Sequence, residues 1–363
     1  MDKLRVGVIG MGIGRYHIEG FQNHPNAEVV AIADLDDARR SEAVSKYGVA
    51  RAYADGEDML KVEELDVVSV AVPNKFHKAL TIAALEQGCH VLTEKPMAMN
   101  AAESVEMLEA AKAAGRRLMI NFSYRFSTQS MALKSQVDGG ILGDVYFART
   151  VWHRRRGIPG LARFQNMPRE KARQRSWFSQ KALSGGGPLI DLGVHRLDLA
   201  LWLMGYPQPV WVMGSAYNPI GTEIAADYGM SYDVEDLAAG FIKFDNGASM
   251  VIEASWAANI QEKELMETRL LGTKAGLVQR NVDEGYEFEA EIYLENNGAQ
   301  FDMKLNPPRE RAPSAMYHFI DSIVNDEPHI ATGEEGLIVM QILDAIYQSA
   351  DEGRPVEITP HDG

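Results

Sequence analysis

The sequence predicts a two-domain α/β protein. A doubly wound parallel sheet comes first, then an α+β domain on a large, open, mostly antiparallel sheet. Three observations carry this. A glycine-rich turn, Gly10-Met11-Gly12-Ile13-Gly14, separates a strand-like run from a helix-like one. Strand-like and helix-like segments then alternate, with short connections, as far as Asn121. From about Tyr124 strand follows strand. Alternation implies parallel strands with crossover helices, and consecutive strands imply antiparallel pairing. At 363 residues two domains are expected, 1–123 and 124–363.

In order, LRVGVI at 4–9 reads as a buried strand and 15–23 as a helix. A glycine turn between them exposes backbone N–H groups to a pyrophosphate. EVVAIA at 28–33 is the second strand, and Asp34 stands at its end. A carboxylate there accepts hydrogen bonds from adenosine ribose hydroxyls and repels a 2′-phosphate, which favours NAD over NADP. Asp34 also suits a helix N-cap. VVSVAV at 67–72 is a continuous apolar run, as a central parallel strand requires. Pro73-Asn74 ends it, a helix runs from Phe76 to Gln87, and His90–Thr93 is the next strand, ending in Glu94-Lys95-Pro96. A helix at 101–114 and a strand at 118–121 complete the half. Ligands of such sheets bind at the carboxyl ends of the strands, where Gly10, Asp34, Pro73, Asn74, Glu94, Lys95 and Asn121 all fall. An ammonium at that edge can hydrogen-bond a substrate hydroxyl and stabilise charge developing on its oxygen.

In the second half, strands are expected at 145–153, 210–217, 237–244, 248–256, 267–271, 276–280, 286–294 and 300–305. Asp245-Asn246-Gly247, Gly272-Thr273-Lys274 and Asn296-Asn297-Gly298 supply hairpin turns. Helices at 132–138, 188–204, 314–325 and 334–351 would cover one face, leaving the other to a second copy in a dimer or tetramer. Three glycines, Gly185 to Gly187, lead into an apolar run carrying Asp191 and His195. Pro188 suits a first helical turn, and a spacing of four puts both side chains on one side of the helix. Arg154-Arg155-Arg156 follows the strand that ends in Trp152-His153. Tyr124, His153, Arg154 and Arg156 are expected on the substrate side. The basic stretch from Arg163 to Arg175 is expected to be an exposed loop.

Composition bounds the partners. Hydrophobic residues make up 46% and charged ones 24%, ordinary for full cores. A net charge of −15 argues against nucleic acid and anionic membranes. Cys89 is the one cysteine, so a disulfide within the chain and a cysteine-based zinc site are excluded, and no metal is expected. No signal-like leader and no apolar run of about 18 residues occurs, so a cytoplasmic location is expected.

Taken together, the first turn, Pro73-Asn74-Lys75-Phe76-His77, Glu94-Lys95-Pro96 and the glycine run leading to Asp191 and His195 resemble the glucose–fructose oxidoreductase / inositol dehydrogenase / MocA family. The resemblance covers nearly the whole chain. It implies an N-terminal Rossmann domain and a C-terminal domain with an open sheet. It implies oxidation or reduction of one carbinol carbon of a sugar, cyclitol or glycoside with NAD(P). Lys95, Asp191 and His195 match the family's lysine, aspartate and histidine, the histidine as acid/base. The first turn and the motif residues, His77 among them, would hold the cofactor, and Trp177 matches an aromatic that lines the nicotinamide pocket. Two departures stand out: the last glycine comes one residue early, at Gly14 with Arg15 behind it, and Phe178 stands where some relatives carry arginine.

The residues agree with that chemistry. A secondary alcohol releases a hydride as its hydroxyl proton leaves, and a neutral imidazole takes such a proton near neutral pH. Two alternatives share the fold: a glycoside oxidoreductase that keeps and recycles its NAD, and a non-catalytic NAD- or sugar-sensing regulator.

Overall fold

The computed structural model describes residues 2–161, 176–306, 310 and 312–361. The stretch from Arg163 to Arg175 therefore lies outside the described residues. The chain packs as two units: one runs through Phe126 and includes Pro313–Met340, and the other comprises Ser127–Ala312 and Gln341 onward.

The first unit holds six strands: β1 (Leu4–Ile9), β2 (Ala27–Ala33), β3 (Arg51–Tyr53), β4 (Val67–Val70), β5 (His90–Thr93) and β6 (Leu118–Ile120). Their order is β3-β2-β1-β4-β5-β6, and every pair is parallel. The order reverses between β1 and β4, which in such sheets is where a ligand crevice opens. All four residues of β4 are buried, which its unbroken apolar run demands. The crossovers are α1 (Gly14–Gln22), α2 (Asp37–Tyr47), α3 (Gly56–Val62), α4 (His77–Glu86) and α5 (Ala101–Ala114). Asp36 caps α2 by accepting the N–H groups of Ala38 and Arg39, so the cap is Asp36 rather than Asp34. Asn100 caps α5 in the same way.

The helix Ala315–Val324 differs from expectation. It packs on α1 in the first unit instead of covering the second sheet. The reason is local. Gly20 leaves a flat spot on α1, where a Cβ would stand 3.0 Å from Met316 Cβ. Met316, Phe319 and Ile320 bury the helix's apolar face, each contributing about 1.5–3 kcal/mol.

The second unit begins with α6 (Thr128–Asp138) and β7 (Val145–Arg154). Its further strands are β8 (Pro209–Tyr217), β9 (Leu237–Phe244), β10 (Ser249–Ser255), β11 (Glu264–Gly272), β12 (Ala275–Asn281), β13 (Phe288–Asn296), β14 (Ala299–Lys304) and β15 (Val356–Glu357). The order is β14-β13-β12-β11-β7-β10-β9-β8-β15. Every pair is antiparallel except β7 with β10. Two meanders, β8 to β10 and β11 to β14, thus flank β7, which joins them in the middle. Along β9 and β10 burial alternates residue by residue, the pattern of a sheet packed on one face. The helix Val194–Met204 lies on the packed face, against β7 and β11. A helix at Pro219–Tyr228 was not anticipated, although Pro219 in its first turn and Gly229 after its end are its start and stop signals. Among the described residues no helix is long and apolar enough to cross a membrane.

Candidate active site

In the first unit the glycine turn is shaped by backbone constraint. Gly10 has φ +94°, and a Cβ there would come within 2.2 Å of Ala71 O. Only glycine fits. Gly14 does what a later third glycine usually does: a Cβ on it would touch Val8 Cγ1 at 3.0 Å, so α1 packs tightly on β1. The early glycine therefore preserves the turn. Beside it, a Cβ on Gly12 would meet only Arg39 Nη1, at 3.9 Å. Ile13 precedes α1 without a side-chain cap, and the first turn of α1 has no acidic residue. Its N–H groups and dipole are thus left to an anion. Asp34 Oδ2 accepts the Met11 N–H at 2.6 Å and Oδ1 the Asp36 N–H at 2.8 Å. Each oxygen retains a lone pair for a ribose hydroxyl. This donor and acceptor set fits NAD, and a second carboxyl-edge group continues it.

That group is Glu94, Lys95 and Asn121 at the ends of β5 and β6, with Pro73 and Asn74 after β4. Asn121 Nδ2 donates to Glu94 Oε1 at 2.5 Å, and His17 Nε2 lies 2.9 Å from the same oxygen. Burial works to raise the Glu94 pKa, but the bonds from His17 and Asn121 outweigh it and hold the carboxyl below its usual range. His77 departs from the cofactor role that its motif implies. It is fully buried, and its two ring nitrogens face Pro96 O and Val72 O, each at 2.8 Å. Burial lowers its pKa, so the neutral ring donates its one N–H to one of these carbonyls, with no surface left for a ligand. Tyr124 lies in the short turn Ser123–Phe126 that follows β6.

In the second unit the Asp191 segment is not a simple α-helix. Leu189–Gly193 forms a π-helical turn, and the α-helix begins at Val194. Asp191 thus sits in the π turn and His195 in the first α turn. Such turns are frequent at functional sites. A buried carboxylate pins the turn. Glu235 Oε2 accepts the Gly187 N–H at 2.8 Å, and Oε1 accepts the Leu189 N–H at 3.0 Å and the Tyr347 hydroxyl at 2.8 Å. A Cβ on Gly187 would approach Glu235 O to 2.2 Å, so the glycine run serves backbone packing. Burial raises the Glu235 pKa against those three bonds.

Asp191 Oδ2 accepts the indole N–H of Trp256 at 3.1 Å. The His195 ring lies 5.7 Å from that of Trp152, centroid to centroid. Trp152 Nε1 donates to Glu264 Oε1 at 2.7 Å, and Arg154 Nε donates to the same oxygen at 2.9 Å. Arg154 Nη2 also donates to the Tyr286 hydroxyl at 2.9 Å. Burial opposes the Arg154 charge, but Asp191 and Glu264 beside it outweigh that and raise its pKa. Trp177 stacks on Phe178 at 3.8 Å, and Phe178 meets Trp256 edge-on at 6.5 Å. Two acids, an imidazole, a guanidinium and five aromatic rings therefore form one neighbourhood. That neighbourhood can orient hydroxyls and accept a proton.

Two expected members are elsewhere. Successive side chains of a strand point to opposite faces. Trp152 and Arg154 share the face of the Asp191 and His195 segment, so His153 points to the other. There it lies 3.8 Å from Glu253 Oε2, and burial lowers its pKa. Arg156 donates to Ala257 O and Asn259 Oδ1, each at 2.7 Å, and so holds the loop behind Trp256. The sequence reading missed Glu235, Trp256, Glu264 and Tyr286. They come from β11 and from loops distant in sequence, and only pairing brings them to Asp191 and Arg154.

Residues 4–122 match the family described as oxidoreductase family, NAD-binding Rossmann fold. Residues 134–358 match its partner, oxidoreductase family, C-terminal alpha/beta domain. The chain is 35% identical to D-glucoside 3-dehydrogenase of Escherichia coli, over 98% of this chain and 97% of that one. It is 27% identical to myo-inositol 2-dehydrogenase of Thermotoga maritima, over 98% of each. A crystal structure of aldose-aldose oxidoreductase from Caulobacter crescentus, complexed with glycerol, superposes with TM-score 0.80 at 26% identity, over 98% of this chain and all of that one. Both halves of the chain, matched in order and nearly end to end, belong to the Gfo/Idh/MocA oxidoreductase family, enzymes that act on CH–OH groups.

Proposed function

We propose that the protein oxidises a secondary carbinol of a glucoside to the keto-glucoside with NAD, residues 1–123 serving the cofactor and 124–363 the substrate. The carrying observation is the pinned turn that presents Asp191 and His195 beside Trp152, Trp256 and Arg154, in a chain that shares 35% identity with a glucoside dehydrogenase. Bound at the glycine turn, NAD would supply the hydride acceptor. His195 takes the hydroxyl proton as the carbinol loses its hydride and becomes a carbonyl. Asp191, fixed by Trp256, orients the substrate hydroxyls. Lys95 donates to the reacting oxygen and lowers the cost of its negative charge. Arg154 and Tyr286 hold the glycoside further along, and Tyr124 stays on the substrate side. His153 and Arg156 have no part in this reading. The Asp34 carboxylate favours NAD over NADP.

The open face of the second sheet supports a homo-oligomer. Met213, Phe241, Val251, Leu265 and Leu271 lie on it, between charged Arg149, Glu253 and Glu267. A sheet face of that kind, with apolar side chains set among ion-paired charges, suits a second copy of this chain.

The test is NADH formation with purified protein, NAD and a panel of methyl glucosides, free glucose and myo-inositol. Glucosides are expected to be turned over best. NADH with inositol alone would move the substrate to cyclitols. No NADH with any polyol would overturn the reading. Turnover between two sugars without added NAD, with nucleotide released on denaturation, would replace it by the recycling reaction.

A further inference from the structure

Lys95 is flanked by two buried imidazoles that lie outside its motif. On its N-terminal side, His17 Nδ1 meets Ser69 Oγ at 2.7 Å and Nε2 meets Glu94 Oε1 at 2.9 Å. The other Glu94 oxygen accepts the backbone N–H of Lys95 itself, at 3.2 Å. A chain of bonds thus runs from Ser69 on β4 through His17 on α1 to the Lys95 peptide. On the C-terminal side, His77 Nδ1 lies 2.8 Å from Pro96 O and Nε2 2.8 Å from Val72 O; burial lowers its pKa, so the neutral ring has one N–H, and on Nδ1 that N–H holds the Pro96 carbonyl after β5. His17 is 1% exposed and His77 not at all, so neither ring can touch a substrate. Each can only fix what it bonds, and what both bond is the chain on either side of Lys95.

We propose that His17 and His77 are positioning residues that clamp the Lys95 backbone from its two sides. This rests on the catalytic role of Lys95 proposed above. A lysine carries four rotatable side-chain bonds. Its ammonium keeps to a reacting oxygen only if its own backbone does not wander, and a misplacement of about 1 Å can cost about a hundredfold in rate. The clamp is asymmetric in a way that can be read out. The ring nitrogen of His17 that serves Lys95 is Nε2; the one that serves it in His77 is Nδ1. Asparagine puts an amide nitrogen near the Nδ1 position and glutamine near the Nε2 position.

The experiment compares His17→Gln with His17→Asn and His77→Asn with His77→Gln. The readouts are kcat, NAD dissociation constant and Tm, alone and with Lys95→Ala. A crossed order is expected. His17→Gln and His77→Asn keep kcat within about threefold, whereas His17→Asn and His77→Gln lose roughly tenfold or more, the size of one lost hydrogen bond to a charged or buried partner. Those losses are expected to disappear in the Lys95→Ala background, because the clamp acts only through that side chain. Full turnover by Lys95→Ala would overturn the catalytic reading itself. Impaired Lys95→Ala with uncrossed or fully additive histidine losses would overturn the clamp and leave that reading standing. If the histidine variants do not fold, Ser69→Ala carries the test: a severalfold fall in kcat that vanishes with Lys95→Ala supports the clamp, and an unchanged kcat overturns it.

Discussion

Trp256 gives its indole N–H to Asp191 Oδ2 across 3.1 Å. The indole is fully buried at the end of β10, whereas Asp191 lies in the π turn of another segment. Asp191 is therefore held from outside its own helix, by a residue that cannot move without disturbing the sheet. Trp256→Phe keeps the packing and removes that bond. A roughly ten- to hundredfold fall in kcat is expected, with NAD affinity unchanged, as one charged hydrogen bond warrants. Steady-state kinetics with nucleotide titration check it. An unaltered kcat would remove the indole from the orientation of Asp191.

His195→Ala is expected to lower kcat by roughly 10²–10⁴, the range for losing a general base. Cofactor affinity is expected to hold. Because the helix carrying His195 is almost wholly buried, circular dichroism has to show a folded variant first. A folded variant with full kcat would exclude the proton transfer.

Asp34 sets the expected choice of NAD. The ratio of kcat/KM for NAD over NADP is expected to exceed one in the native protein and to shrink in Asp34→Ser. The same substitution removes the acceptor of the Met11 N–H, so weaker binding of both nucleotides is expected as well. A native preference for NADP would reject the assignment.

His90 and His329 make acid stability a separate test. Burial, then Arg116 and Arg117, lowers the His90 pKa to about 4. Burial first, with Arg117 and His318 adding to it against the Ile330 backbone bond, lowers that of His329 to about 4. Both lie below the ordinary value of about 6.5. Between those limits the unfolded chain binds protons that the folded chain refuses, so stability falls as pH drops from about 6.5 toward about 4. Calorimetry is expected to show Tm falling over that window, and less steeply in His90→Gln/His329→Gln. Equal slopes would assign the acid loss to other groups.

Phe241 tests the open sheet face. Trp211 and Phe241 lie there with ring centroids 5.6 Å apart. Phe241→Glu places a charge in the proposed contact between copies. Light scattering is expected to give an oligomer for the native chain and a smaller mass for the variant. A native monomer at micromolar concentration would count against the contact.

Much of this protein was legible in its sequence. The apolar run of β4, the strand and helix alternation and the turn residues are local, and each is written in neighbouring side chains. So is Gly10, whose positive φ no other residue adopts cheaply. Asp191 and His195 were marked as candidates by their spacing and by the glycines before them. Other features were decided only by long-range pairing. His77 was expected at the cofactor and His17 was not singled out; only packing against the ends of β4 and β5 buries both rings. His153 and Trp152 are adjacent in sequence, and only the pleat of β7, with helices on one of its faces, sends one away from the site and the other into it. Glu235 reads as one acid among many, and the close approach of Gly187 makes it the anchor of the Asp191 turn. Local sequence determines which elements form. Which buried polar group meets which partner depends on packing between elements far apart in the chain, because an interior carboxylate or imidazole must find its hydrogen bonds wherever the fold supplies them.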